Sequence, residues 1–162
     1  MATEVTKTQI DRLGERLKKG NVSEADLRLL DEYRHSFAEA YETVVRTIQE
    51  QFLVLRRPTG RLAKTTTSII EKLRRESSIR LTQIQDIAGC RLVVPGIKYQ
   101  EEIVQSLGSL FEHSQTVDHR KHPSHGYRAV HVIVKSLDKK VEIQVRNYNT
   151  AGPSFQKNYL IR

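Results

Sequence analysis

Residues 126–146 read GYRAVHVIVKSLDKKVEIQVR, and the period of this stretch decides the fold. Alternating runs flank Leu137-Asp138-Lys139-Lys140, the pattern of a β-hairpin with its turn. In the second run Val141, Ile143 and Val145 fall on one face and Glu142, Gln144 and Arg146 on the other. Upstream, HSQTVDHR (113–120) is a weaker strand signal, and IKYQEEIVQSLGSLF (97–111) has helical periodicity. CRLVV (90–94) is β-branched and apolar and stops at Pro95-Gly96, so it predicts a strand. LTQIQDIAG (81–89) predicts a helical turn closed by Gly89, and TTTSIIEKLRRES a short helix over about 66–76.

Arg56-Arg57-Pro58-Thr59-Gly60 is a loop signal. Before it, Leu27, Leu30, Phe37, Tyr41, Val44, Val45, Ile48, Phe52 and Leu55 recur at helical spacing, with no Gly or Pro between. This predicts one long amphipathic helix over roughly 24–55, with Ser23 as its N-cap. A shorter helix, about 5–18, precedes it and ends at Gly20-Asn21. Helices followed by strand, helix and three strands imply an α+β fold with a mixed or antiparallel sheet flanked by helices. The expected division is an N-terminal helical extension (1–60), a core (61–146) and an atypical tail (147–162).

At 162 residues the chain suits one domain with a helical extension. No window approaches the ~20 apolar residues of a membrane span, and the N-terminus lacks the apolar run of a signal peptide, so a cytoplasmic protein is expected. Cys90 is the only cysteine, which leaves no intrachain disulfide and no multi-cysteine metal site. Residues 1–60 hold ten basic and ten acidic side chains; residues 61–162 hold seventeen and nine, and so carry the whole net charge of +8. That asymmetry points to a polyanion site in the second half or to a solvated basic surface.

Four polar segments in the basic half are candidates for chemistry. Lys64, Ser68 and Lys72 are four apart, hence on one helical face suited to a phosphate chain. Asp86, at the edge of the predicted strand, is placed to hold Mg²⁺ or to pair with Arg91. His125-Gly126-Tyr127-Arg128 offers a stackable ring at a strand start, with Arg128 on the opposite face. Five of the six histidines lie between 113 and 131, yet none has zinc-site spacing. Glu142, Gln144 and Arg146 share a face, and Glu142 near Asp86 would let two carboxylates share a metal.

Taken in order, SIIEKL with its upstream Lys64, DIAGCRLVV, HGYRAVHVIV and VEIQVR resemble the RelA/SpoT synthetases over about residues 45–146, with the small stand-alone, toxic branch most similar. The resemblance implies a nucleotidyltransferase-like synthetase fold and transfer of pyrophosphate from ATP to a nucleotide 3′-hydroxyl. Lys64, Ser68 and Lys72 would then bind the ATP phosphates, and Arg61, one residue further upstream than the family's usual spacing, would flank adenine. Asp86 and Glu142 would hold Mg²⁺, and Glu142 would alternatively accept the hydroxyl proton. Tyr127 would stack on the acceptor base, and Arg91, Arg128, His131, Gln144 and Arg146 would line the phosphate and acceptor sites. The acceptor would be GDP or GTP, or the 3′ end of tRNA. The basic loop 118–125 and the basic set Arg56, Arg57, Arg74, Arg75, Arg120 and Lys121 lean toward RNA. An antitoxin protein and a homo-oligomer are the further partners implied.

After EIQVR the family continues with a helix carrying Trp-Ala, whereas this chain reads NYNTAGPSFQKNYLIR. Codons for ELQHRWAQFSEKLSD, read one base out, can encode Asn147–Ile161 in order, so two readings of the tail stand, a frameshift product and a divergent tail. Three classes of function therefore stand: an active pyrophosphotransferase, an impaired form that still binds ATP or RNA, and a non-enzymatic RNA-binding module.

Overall fold

Capping boxes start the first two helices. Thr6 accepts from the Gln9 N–H while the Gln9 side chain accepts from the Thr6 N–H, opening α1 (Lys7–Lys19). Ser23 and Asp26 do the same for α2 (Glu24–His35). The chain then forms α3 (Ala38–Gln51), β1 (Thr59–Arg61), α4 (Thr66–Arg75) and a 3₁₀ turn (Leu81–Gln83). There follow β2 (Ala88–Val94), α5 (Ile97–Leu110), β3 (Ser114–Asp118), β4 (Val130–Ser136) and β5 (Lys139–Asn147). The computed structural model describes residues 5–53, 58–61, 63–122 and 128–147.

The expected long helix 24–55 is two helices. Ser36 Oγ donates to the Tyr33 carbonyl at 2.6 Å, and the Phe37 N–H turns to the Arg34 carbonyl, so the ladder breaks at Ser36-Phe37 without Gly or Pro. Phe37 is buried there, edge-on to Tyr33 at 5.3 Å. A second correction lies at 81–89: only Leu81–Gln83 is helical, and Gly89 sits inside β2. A third is β1, which arises from residues that read as loop. It packs so close to β2 that a Cβ on Gly60 would collide with the Gly89 carbonyl oxygen and lie 2.7 Å from the Cys90 Cα. The hairpin turn is tighter than expected, with Leu137 and Asp138 alone between the strands and both at positive φ (48° and 61°).

The sheet order is β1-β2-β5-β4-β3; β2 and β5 run parallel and every other pair is antiparallel. Val141, Ile143 and Val145 are fully buried with Ala88, Cys90 and Leu92 of β2 and Val130, Val132 and Val134 of β4. The same core takes in Ile10, Leu13 and Leu17 of α1 and Val44, Val45 and Ile48 of α3. The opposite sheet face carries the polar residues.

Candidate active site

Register brings the polar residues together. Gly89 pairs with Glu142 and Arg91 with Gln144 across β2–β5, while His131 pairs with Gln144 across β4–β5. Paired residues share a face, so Arg91, His131, Glu142, Gln144 and Arg146 form one polar field. Along it Arg146 Nη2 donates to Gln144 Oε1 at 3.3 Å, Gln144 Nε2 donates to Glu142 Oε1 at 2.8 Å, and His131 Nδ1 lies 3.2 Å from Glu142 Oε2.

Asp86 reaches this field from the loop before β2. Lys64 Nζ donates to its Oδ2 at 2.7 Å and Lys72 Nζ to its Oδ1 at 2.9 Å. The alternative pairing of Asp86 with Arg91 is thereby replaced by two lysines. Asp86, Glu142, Lys64, Arg91 and Gln144 line one cleft of about 350 Å³, floored by Gly60 and Gly89. Lys72 and Glu142 line the adjoining depression. Burial opposes charge on Asp86, but the Lys64 and Lys72 hydrogen bonds and charges together hold its carboxyl below the usual range. Burial likewise opposes charge on Glu142; His131 and Gln144 outweigh it, against repulsion from Asp86, and that carboxyl is also lowered. Cys90 lines the same cleft, but burial and then the Glu142 charge push its thiol up to about 12, so it stays protonated.

The phosphate-binding stripe needs one correction. Lys64 is not on the helix: Thr65 is the N-cap, its Oγ1 accepting from the Ser68 N–H, so α4 begins after Lys64. The backbone places Lys64 instead, through its N–H on the Ile87 carbonyl and its carbonyl on Arg34 Nε. The Ser68 hydroxyl accepts from Thr65 Oγ1 at the same cap.

Arg61 pairs with Gly89 at the end of β1. Arg128 is exposed and precedes β4. Of the set expected to bind RNA, Arg74, Arg75 and Lys121 are exposed. Arg74 Nε donates to the Lys18 carbonyl at 3.3 Å. Arg120 departs from the expectation: its Nε and Nη2 clasp both Asp118 oxygens at 2.9 and 2.8 Å, and its Nη1 points to Gln100 and Glu101. Arg56, Arg57, Tyr127 and all of the tail except Asn147 lie outside the described residues. Sequence reasoning missed Gly60, which read as part of a loop, and the buried amides Gln100 and Asn147, whose signal was a polar residue on an apolar stripe.

The mixed sheet, with two carboxylates set among lysines, an arginine and a histidine on its polar face, defines an α+β protein with a compact charged cleft. Residues 60–153 match the family described as a region found in RelA / SpoT proteins, and the chain belongs to that family. Uncharacterized proteins of Mycobacterium bovis and Mycobacterium tuberculosis are 38% identical over 87 residues, which is 52% of this chain and 32% of theirs. The match thus spans about a third of those relatives' length. Small alarmone synthetase 1 from Bacillus subtilis superposes with a TM-score of 0.54 at 24% identity, covering 83% of this chain and 77% of that one. The Type VI effector Tas1, solved with its immunity protein, gives 0.50 at 15% identity, covering 91% and 66%. The likeness to the small alarmone synthetase bears out the expected α+β synthetase fold, and α1 to α3 supply the expected N-terminal helices. Among the described residues no helix is long and apolar enough to cross a membrane.

Proposed function

We propose that the protein is an ATP-dependent pyrophosphotransferase that moves the β,γ-pyrophosphate of ATP to the 3′-hydroxyl of a guanine nucleotide. The observation that carries this reading is the meeting of Asp86 and Glu142 in one cleft with Lys64 and Arg91, in a chain of the RelA/SpoT family. The 3′-oxygen attacks the β-phosphorus, the bond from that phosphorus to the α,β-bridging oxygen breaks, and AMP leaves. Glu142 is kept ionised, either to complete the metal site or to take the hydroxyl proton. Lys64 and Lys72 exchange part of their hold on Asp86 for the ATP phosphates, and Arg91 and Arg146 neutralise charge on the transferred group. Gln144 and His131 orient Glu142.

The donor chemistry fits magnesium. The two carboxylates are hard oxygen ligands, both held ionised. Among the described residues no group of three or more His, Cys, Asp or Glu forms a cage. The remaining positions would fall to phosphate oxygens and water, as is usual for this ion. Asp86 and Glu142 would hold it, and when bound it would supply charge neutralisation.

A guanine nucleotide is preferred to tRNA because Arg120, in the loop expected to favour RNA, is already bound by Asp118. The test offers β-labelled ATP with GDP, GTP and deacylated tRNA in parallel. Label is expected on the guanine nucleotide. Asp86→Asn should lower transfer by at least about 10²-fold, and Lys72→Ala should weaken ATP binding by about 1.5–3 kcal/mol. Label on tRNA alone would replace the acceptor, and label on nothing would overturn the reading and leave the impaired and the non-enzymatic forms.

A further inference from the structure

Gln100 stands on the buried stripe of α5 with Ile103 and Leu107, where an apolar residue would ordinarily pack, and it has no exposed surface. A buried amide of this kind is costly unless its groups are bonded. Its Nε2 donates to the Val145 carbonyl at 2.8 Å, and its Oε1 accepts from Asn147 Nδ2 at 3.1 Å and Arg120 Nη1 at 3.4 Å. Val145 is where the β4–β5 ladder ends, because its partner Val130 is the first residue of β4. Beyond it β2 still pairs with β5, at Val93–Arg146 and Val94–Asn147, and Gln100 adds bonds to Val145 and Asn147 where β4 stops.

The other arm of the network reaches the β3–β4 connection. Arg120 clasps Asp118, the last residue of β3, through both carboxylate oxygens, and the Arg120 N–H adds a third bond at 2.9 Å. One step along, the His119 N–H donates to the Ala129 carbonyl at 3.0 Å and ties the two roots of the connection together. The strand that carries Gln144 and Arg146 is thereby joined to the connection that carries Arg128.

We propose that Gln100, acting with Arg120, is a positioning residue for the acceptor side of the cleft. It fixes the distance between the polar face of β5 and the roots of the β3–β4 connection. This rests on the pyrophosphotransferase reading for its functional consequence, though the clamp itself is a matter of structure. A residue that only fills the core would support all neighbouring elements alike.

The experiment uses the full chain with Gln100→Leu, Arg120→Met and the double variant. Amide hydrogen exchange is followed at residues 119–122 and 128–131, with α4 as the internal reference. Each single variant is expected to speed exchange at the roots by about tenfold and leave α4 unchanged. KM for the acceptor should rise about tenfold while KM for ATP stays within about twofold. The double variant should be no worse than the more affected single one, because both act through one network. Exchange that is unchanged, or faster everywhere, would overturn the proposal, as would KM values for ATP and acceptor that rise together. If Gln100→Leu does not fold, Arg120→Met, at the partly exposed end of the network, carries the same readouts. If the wild-type chain transfers to no acceptor, the pyrophosphotransferase reading fails, and the exchange pattern still decides whether the clamp exists.

Discussion

Asp118 illustrates how one carboxylate's neighbours set its role. Hydrogen bonds from Arg120 hold its carboxyl below the usual aspartate range, against a smaller penalty from burial. The sign of the linkage follows from that depression. The pair contributes in full above the ordinary aspartate pKa of about 3.9, and its contribution is lost as pH falls through the lower folded value. Asp118→Asn is therefore expected to flatten the acid limb of Tm against pH below about pH 4, with little change in slope near neutrality. A thermal melt series from pH 7 to pH 2.5 checks this. Asp86 is lowered for the same kind of reason, but its partners are Lys64 and Lys72. Ionisation there keeps a ligand-ready carboxylate; at Asp118 it keeps a strand end tied to a loop.

Within single elements, the β4–β5 turn carries the clearest strain. Leu137 and Asp138 both adopt left-handed backbone, the conformation a two-residue turn needs to match strand twist, and neither is glycine. A branched side chain such as Leu costs about 1–2 kcal/mol there. Leu137→Asn with Asp138→Gly should stabilise the protein by about 1–2 kcal/mol, read as a higher denaturation midpoint with an unchanged m-value. The strands beside the turn were legible because burial on one face writes a period of two into Val141, Ile143 and Val145, and the same period exposed Glu142, Gln144 and Arg146 as a set. The break between α2 and α3 was not legible, since a serine hydroxyl bonding back to a carbonyl leaves the 3.6-residue apolar period intact on both sides. β1 was hidden for another reason: three residues have no period, and only the closeness of β2 makes them a strand. The cleft was legible in its ionisable members, because Asp86, Lys64, Lys72 and Glu142 are chemically conspicuous. The bonds that Gln100 makes were not, because its partners lie twenty to forty-seven residues away.

Across the whole molecule, one apolar core takes in residues from α1 to β5. Leu13 and Leu17 are fully buried, and a Cβ on Gly14 would lie 2.8 Å from the Leu81 Cβ, so α1 sits directly on the turn that leads to Asp86. Asp11 adds two hydrogen bonds, accepting from the Thr82 N–H at 3.0 Å and its hydroxyl at 2.7 Å. The N-terminal helices are therefore expected to unfold with the sheet and not before it. Leu13→Ala should cost about 2–5 kcal/mol and move one cooperative transition, with helix-sensitive and β-sheet-sensitive signals shifting together in a denaturant titration. The parallel pairing of β2 with β5 has a consequence in time. During synthesis β2 leaves the ribosome early, yet its central neighbour is the last strand of the sheet. Until residues 139–147 emerge, the apolar edge of β2 lacks that neighbour and Asp86 faces no Glu142. Such long-range pairing forms slowly and leaves sticky strand edges exposed meanwhile. The nascent chain passes through a window in which its cleft is incomplete and its strand edges are prone to aggregate, and the cleft closes only when β5 has been made.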